Sequence, residues 1–214
     1  MNSKTLQFPN IGVLTAVLSE EDLAPLKQEI LEIQNNFTIA KKTNHTLAGN
    51  IKKEFVLKKS KDHIASIIEP YIWKFDESFG YPSSVAVLTS DCLLVLDSLW
   101  VNFQEKHEFN PSHSHTGILS FVIWITIPYN IKDESSQSPG SESSNPLAGQ
   151  FTFHYTNSLG KICQQDVKAD CNMENHFFLF PAQLNHSVAP FYTSNEYRIS
   201  VSGNFKFQIP ENIK

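Results

Sequence analysis

The residues of this 214-residue chain that could do chemistry are a few histidines and one arginine. His113 and His115 stand two apart in Asn110-Pro111-Ser112-His113-Ser114-His115-Thr116-Gly117, just past one apolar run and before another. In extended backbone a period of two sends both imidazoles to one side, with Cα atoms roughly 6.5–7 Å apart. Such a pair can grip a single metal ion. A protein-held metal needs at least a third ligand. His186, in Phe180-Pro181-Ala182-Gln183-Leu184-Asn185-His186-Ser187-Val188, is the best candidate, because it follows an apolar strand ended by Pro181. Taken alone, His-x-His describes two solvated imidazoles in a polar loop more readily than a metal site. The other five histidines take the structural reading. His45 and His63 lie in polar stretches, His107 in a turn, His154 between Phe153 and Tyr155, and His176 before Phe177. Of these, His154 is the one whose strand position could face a barrel interior.

Sixteen of the 17 basic residues are lysines, and Arg198 is the only arginine. It sits in Glu196-Tyr-Arg-Ile-Ser-Val-Ser-Gly-Asn204, where Tyr197, Ile199 and Val201 alternate with Arg198, Ser200, Ser202 and Asn204. A solvated strand face is the plain reading. Against it stands the choice of residue. A planar guanidinium holds a carboxylate through two parallel hydrogen bonds, which lysine cannot do. Ser200, on the same face, can donate one more.

The elements that must position these groups follow from apolar periodicity. Residues 11–17 predict a short strand. Ser19 with Asp22 marks a helix start, and Leu23, Leu26, Ile30 and Ile33 follow at helical spacing. Pro25 fits only in a first turn, which makes Asp22 an alternative cap. A second helix is expected through Ile64, Ile67, Ile68, Tyr71, Ile72 and Phe75 behind a cap at Asp62, with Pro70 expected to kink or break it. From about residue 85 the period becomes two: Leu99, Val101 and Phe103 form one face, and Trp100, Asn102 and Gln104 the other. Residues 118–127 are apolar on both faces, and strands follow at 150–156, 161–167, 176–180 and 196–207. Segment 130–149 holds six Ser, two Pro and two Gly and is expected to be a mobile surface loop. The expected fold is mainly β with supporting helices (α+β), two helices followed by about eight strands in an antiparallel sandwich or barrel. One domain over 1–214 is expected, with a helical support region at 1–85 and the core at 86–208.

Composition excludes several classes. At 41% hydrophobic and 18% charged, with 16 Phe, the chain suits a sizeable core and no disordered, coiled-coil or fibrous state. The net charge of −5 does not suit a duplex-wrapping protein. The longest apolar run, 121–127, is too short for a bilayer, and secretion is not expected from the residues that open the sequence. Cys92, Cys163 and Cys171 lack metal-pair spacing and are expected to be free thiols in a reducing compartment. A cytoplasmic location is the expectation.

Together, Trp100-Val101-Asn102, His113-x-His115-x-Gly117-x-x-Ser120-Phe121, Phe180-Pro181 with His186-x-Val188-x-Pro190, and Arg198-Ile199-Ser200 resemble the Fe(II)- and 2-oxoglutarate-dependent oxygenases. The likeness is to small oxygenases common in phage and marine bacterial genomes, distantly similar to prolyl 4-hydroxylases. It covers about residues 95–207. It implies a double-stranded β-helix (jelly-roll) barrel that holds Fe(II), uses 2-oxoglutarate as cosubstrate with O2, and hydroxylates a substrate with release of succinate and CO2. His113 and His186 then match metal ligands, and His115 takes the position usually filled by Asp. The ligand alternative to His115 is a carboxylate such as Asp97 or Glu105. Arg198 and Ser200 match the pair that holds the distal carboxylate of 2-oxoglutarate, and Asn102 is a further pocket-lining candidate.

Two other function classes compete. One is a non-catalytic jelly-roll binding or virion protein. The other is a three-His cupin-type dioxygenase that ignores 2-oxoglutarate. Lys41, Lys42, Lys52, Lys53, Lys58, Lys59 and Lys61 could attract an anionic partner, although a solvated edge is preferred and nucleic acid is not expected. No membrane partner is expected, and nothing in the sequence names the substrate.

Overall fold

The computed structural model describes residues 10–44, 47, 49–85 and 92–208. Strand β1 (Leu14–Val17) leads into α1 (Glu20–Asn35), which starts where expected: Ser19 Oγ accepts from the Asp22 N–H at 3.0 Å. Glu20, Glu21 and Asp22 in the first turn complement the helix dipole. The cap is therefore Ser19 and not Asp22. Pro25 lies one turn further in, on an exposed flank, so the Glu21 carbonyl it leaves unbonded sits on the water side. Strand β2 (Glu54–Val56) precedes α2 (Lys61–Phe79). This helix runs unbroken through Pro70 for the same reason, since Pro70 and Ser66, four residues earlier, are both exposed. Its cap is Ser60 and not Asp62, and it ends at Gly80, whose φ of 62° is the left-handed stop glycine adopts at low cost.

Eight strands follow: β3 (Leu93–Gln104), β4 (Asn110–His113), β5 (Leu119–Thr126), β6 (Phe151–Thr156), β7 (Ile162–Val167), β8 (His176–Pro181), β9 (Asn185–Val188) and β10 (Arg198–Gln208). They form two antiparallel sheets, in the orders β1-β8-β5-β10-β3-β2 and β4-β9-β6-β7. This is the open two-sheet form of a jelly-roll, mainly β with helical support; no backbone pairing joins the two sheets among the described residues. The expectation of strands from residue 85 touches 86–91, which lie outside the described residues, as does His45.

The larger sheet is covered on both faces, which is why β5 is buried along nearly its whole length. One face, with Val101, Phe103, Ile123, Phe177, Leu179 and Val201, packs on the apolar stripes of α1 and α2. Each fully buried side chain of this kind contributes ~1.5–3 kcal/mol. The other face turns to the smaller sheet, where Trp124, Phe151, Phe153, Phe178 and Phe180 make a second core.

Segment 130–149 was expected to be a loop and instead carries α3 (Ile131–Gln137), capped by Asn130. Its Glu134 is fully buried and accepts from the N–H groups of Tyr192 and Thr193 at 2.9 and 2.7 Å. Serine-rich composition hid this helix because a tertiary carboxylate anchor, not an apolar stripe, holds it.

Candidate active site

Strands β4 and β9 set the first half of the site. In their register His113 lies directly opposite His186, and Phe153 of β6 lies opposite His186 on the other side. His115, just past β4, joins them where its N–H donates to the Ala182 carbonyl. Gly117 makes this turn possible: its φ is 108°, and a Cβ there would stand 2.6 Å from the Phe205 carbonyl oxygen. The three rings are 4.4–5.2 Å apart by centroid, and one ring nitrogen of each lies within 4.8 Å of the others.

Each Nδ1 is already engaged. His113 Nδ1 meets the Pro111 carbonyl at 2.7 Å, His186 Nδ1 the Leu184 carbonyl at 3.0 Å, and His115 Nδ1 the Asn204 side-chain oxygen at 2.9 Å. These oxygens accept and cannot donate, so Nδ1 carries the hydrogen in all three rings. Nε2 keeps the lone pair, and none of the three Nε2 atoms has a hydrogen-bond partner among the described residues. Burial holds the rings neutral, pushing His186 down to about 3, His115 to about 4, and His113 below its ordinary value; neighbouring imidazoles add to the effect for His186 and His115. Neutral rings with fixed tautomers and free Nε2 atoms are the form a cation binds. The donor set thus fits an iron ion.

The second half of the site lies on the larger sheet. Residues Asn102, Ser200 and Trp124 are consecutive register partners on β3, β10 and β5, and Arg198 pairs with Gln104. A register shift in the β10–β5 pairing between Ile199 and Ser200 is the kind of irregularity that re-aims side chains beside a site. Arg198 is only 2% exposed. One of its terminal nitrogens donates to Tyr129 Oη at 2.8 Å and to the Gly149 carbonyl at 3.1 Å, while its Nε has no partner. No carboxylate pairs with it among the described residues. Trp124 Nε1 is likewise buried and unpartnered. Histidines, Arg198, Ser200, Asn102 and Trp124 all line one cavity of about 160 Å3. Its aromatic walls include Phe151 stacked on His186 at 5.3 Å and Trp100 beside His115 at 5.4 Å.

All six residues singled out from sequence are therefore brought to one cavity. The carboxylates offered as alternatives to His115 are not: Asp97 pairs with Lys206, and Glu105 with Lys53. Of the remaining histidines, His63 bonds the Asp22 carbonyl, His107 packs on Tyr192, His176 contacts the Glu174 carbonyl, and His154, on the opposite face of β6 from Phe153, bonds Ser187. Sequence reasoning missed Tyr129, Gly149 and Asn204 as supports, and the role of Ser120. The last is fully buried, 2.8 Å from His115 Nδ1, and bonds Asn204. A serine and a glycine in otherwise apolar strand or loop ends were the only signals. In the lysine-rich stretch, Lys53 and Lys59 form ion pairs with Glu105 and Glu32, and Lys61 donates to the Asp97 carbonyl.

The sequence model of a family described as "Putative 2OG-Fe(II) oxygenase" matches residues 98–204, half of the chain, and that span holds all six residues. The chain belongs to this family. It is accordingly a 2-oxoglutarate-dependent oxygenase, an oxidoreductase whose family works with Fe(II), 2-oxoglutarate and O2. Solved oxygenases share the fold. A prolyl-4-hydroxylase from Pseudomonas putida aligns over 92% of this chain and 93% of its own, with a TM-score of 0.58 and 11% identity. An oxidoreductase of the 2OG-Fe(II) oxygenase family from Burkholderia pseudomallei aligns over 92% and 84%, at 0.54 and 12%. The alpha-ketoglutarate-dependent epimerase SnoN from nogalamycin biosynthesis aligns over 91% and 76%, at 0.53 and 12%. A search of curated proteins finds no match. Among the described residues no helix is long and apolar enough to cross a membrane.

Proposed function

We propose that this oxygenase hydroxylates its substrate while converting 2-oxoglutarate to succinate and CO2, with His113, His115 and His186 as the iron ligands and Arg198, Ser200 and Asn102 holding the cosubstrate. The observation that carries the reading is Arg198, a buried guanidinium that no carboxylate among the described residues pairs with, lining the same cavity as three neutral imidazoles. A charge taken out of water without a partner is costly, so a buried guanidinium implies an anionic ligand.

When bound, iron with 2-oxoglutarate and O2 supplies the oxidising power. The chain's own residues do the rest. Nε2 of each histidine donates its lone pair, while Pro111, Leu184 and Asn204 keep the rings from rotating. Arg198 offers its free Nε to a carboxylate, braced by Tyr129 and the Gly149 carbonyl. Ser200 and Trp124 add donors beside it. The Phe151, Phe180 and Trp100 walls limit water around the reacting centre. Three imidazoles carry one negative charge fewer than two imidazoles and a carboxylate, so the bound metal keeps more of its positive charge.

The domain reading is part of the same proposal: one unit, with the helices buttressing the sheet face away from the cavity. The test is anaerobic loading with Fe(II), then exposure to O2 with 2-oxoglutarate. Succinate release that needs both iron and 2-oxoglutarate, and that Arg198→Ala abolishes, is expected. Iron uptake with no response to 2-oxoglutarate would instead point to cupin-type dioxygenase chemistry. No iron uptake would point to a binding protein.

A further inference from the structure

Four glutamates are buried among the described residues, and three of them hold backbone together. Glu29 accepts from the N–H groups of Lys58, Lys59 and Ser60 and from the Ser60 hydroxyl. Glu134 accepts from Tyr192 and Thr193, and Glu108 from the N–H groups of Lys52 and Glu105. Glu54 is built differently. It is 2% exposed, yet its carboxyl receives one hydrogen bond, from Asn44 Nδ2 to Oε2 at 2.9 Å. That is the one bond to its carboxyl from a described residue, and it makes no ion pair among the described residues.

Glu54 lines the cavity of the histidines and Arg198, and it is the one acidic residue among those lining it. Its register partner on β3 is Asn102, 7% exposed, whose Nδ2 donates to Ser200 and whose Oδ1 is buried without a partner. The carboxyl of Glu54 and the unpartnered Oδ1 of Asn102 thus stand side by side on the cavity wall. Buried polar atoms are almost always satisfied, and a donor on a ligand in the cavity would satisfy both groups. 2-Oxoglutarate cannot provide it, because its ionised carboxylates and keto oxygen only accept. Glu54 also lies outside residues 98–204, the span shared with the family.

We propose that Glu54, with Asn102 Oδ1 beside it, binds a protonated nitrogen of the primary substrate, an ammonium or guanidinium group. Resting on the oxygenase reading, it names that site's substrate class. Burial and the nearby Glu108 carboxylate disfavour the charged form of Glu54 in the empty cavity, and a cation would reverse that preference.

The test uses n-butylammonium and its neutral counterpart n-butanol, titrated into the full-length protein loaded anaerobically with Fe(II) and 2-oxoglutarate and followed by tryptophan fluorescence. We expect n-butylammonium to bind at least 10-fold more tightly than n-butanol, and Glu54→Gln to remove at least 10-fold of the ammonium affinity while leaving that of the alcohol. Equal affinities for the two probes in the unaltered protein would overturn the assignment, whether or not Glu54→Gln folds. Undiminished ammonium binding by a folded Glu54→Gln would do the same. Loading is measured first: a protein that takes up iron and 2-oxoglutarate but ignores the charge on the probe refutes Glu54 alone. One that takes up neither refutes the oxygenase reading and this proposal with it.

Discussion

His113 and His186 are direct cross-strand partners, opposite one another on β4 and β9 with ring centroids 4.4 Å apart. The pairing places two donors on one face of the smaller sheet, and the Gly117 turn brings in His115. Because rigid strands set the geometry, removing one ring should not rearrange the others.

His113→Ala and His186→Ala should each weaken Fe(II) or Mn(II) binding by at least about 10–100-fold, the range for losing even a supporting partner. His115→Asp should retain stoichiometric metal, because a carboxylate at that position can still ligate, whereas His115→Ala should not. Unaltered metal affinity in His115→Ala would remove this residue from the ligand set. Bound metal should also raise the unfolding midpoint, by ~2.7 kcal/mol of stability at about 100 times Kd.

With His115 in the proposed ligand set, Ser120 and Asn204 would act on the metal through it. Asn204→Ala takes away the acceptor that fixes the Nδ1–H tautomer, so metal affinity should fall about 10-fold or more. Asn204→Asp should keep it. Isothermal titration with Mn(II) distinguishes the two variants, and equal losses in both would argue against tautomer control.

Arg198→Lys should cost 2-oxoglutarate affinity at least about 10-fold while leaving metal affinity alone, since lysine lacks the planar fork. Gly149→Ala should act in the same direction from a distance. Its φ is 72°, and a Cβ would stand 2.8 Å from the Tyr129 ring that braces Arg198. Equilibrium dialysis with labelled 2-oxoglutarate reads both, and a normal dissociation constant for Gly149→Ala would show that the brace is dispensable.

Glu54 makes stability depend on pH. Burial, then the Glu108 carboxylate, pushes its carboxyl from 4.5 up to about 7. Between those values the folded chain keeps a proton that the unfolded chain has lost. Stability from this group is therefore fully present below about 4.5 and declines as pH rises through about 7, by no more than about 3.4 kcal/mol. Glu54→Gln should lack that decline. Urea midpoints of both proteins at pH 5 and pH 8 provide the comparison, and parallel changes would contradict it.

Much of this site was legible in sequence because it lies on strands whose period of two sorts faces by inspection. The alternation around Arg198 and Asn102 put polar groups on one side, and the two-sided apolar run of β5 announced a covered strand. What stayed hidden depends on pairing between distant segments. Strands β2, β4 and β9 are three or four residues long and have no pattern of their own. Glu54 sits among lysines in the sequence, and only the pairing of β2 beside Asn102 brings it to the cavity. Tyr129 and Gly149 meet Arg198 only through the fold of the α3 segment. Both helices run through proline because its lost hydrogen bond falls on the solvent side, which spacing alone does not reveal.

The central claim is tested most directly by diffraction from crystals grown anaerobically with Mn(II) and 2-oxoglutarate, with the metal located by its anomalous signal. The account predicts one metal per chain bonded to Nε2 of His113, His115 and His186, with the distal carboxylate of 2-oxoglutarate on Arg198 and Ser200. A metal bound elsewhere, or a 2-oxoglutarate that leaves Arg198 without an anion, would contradict it.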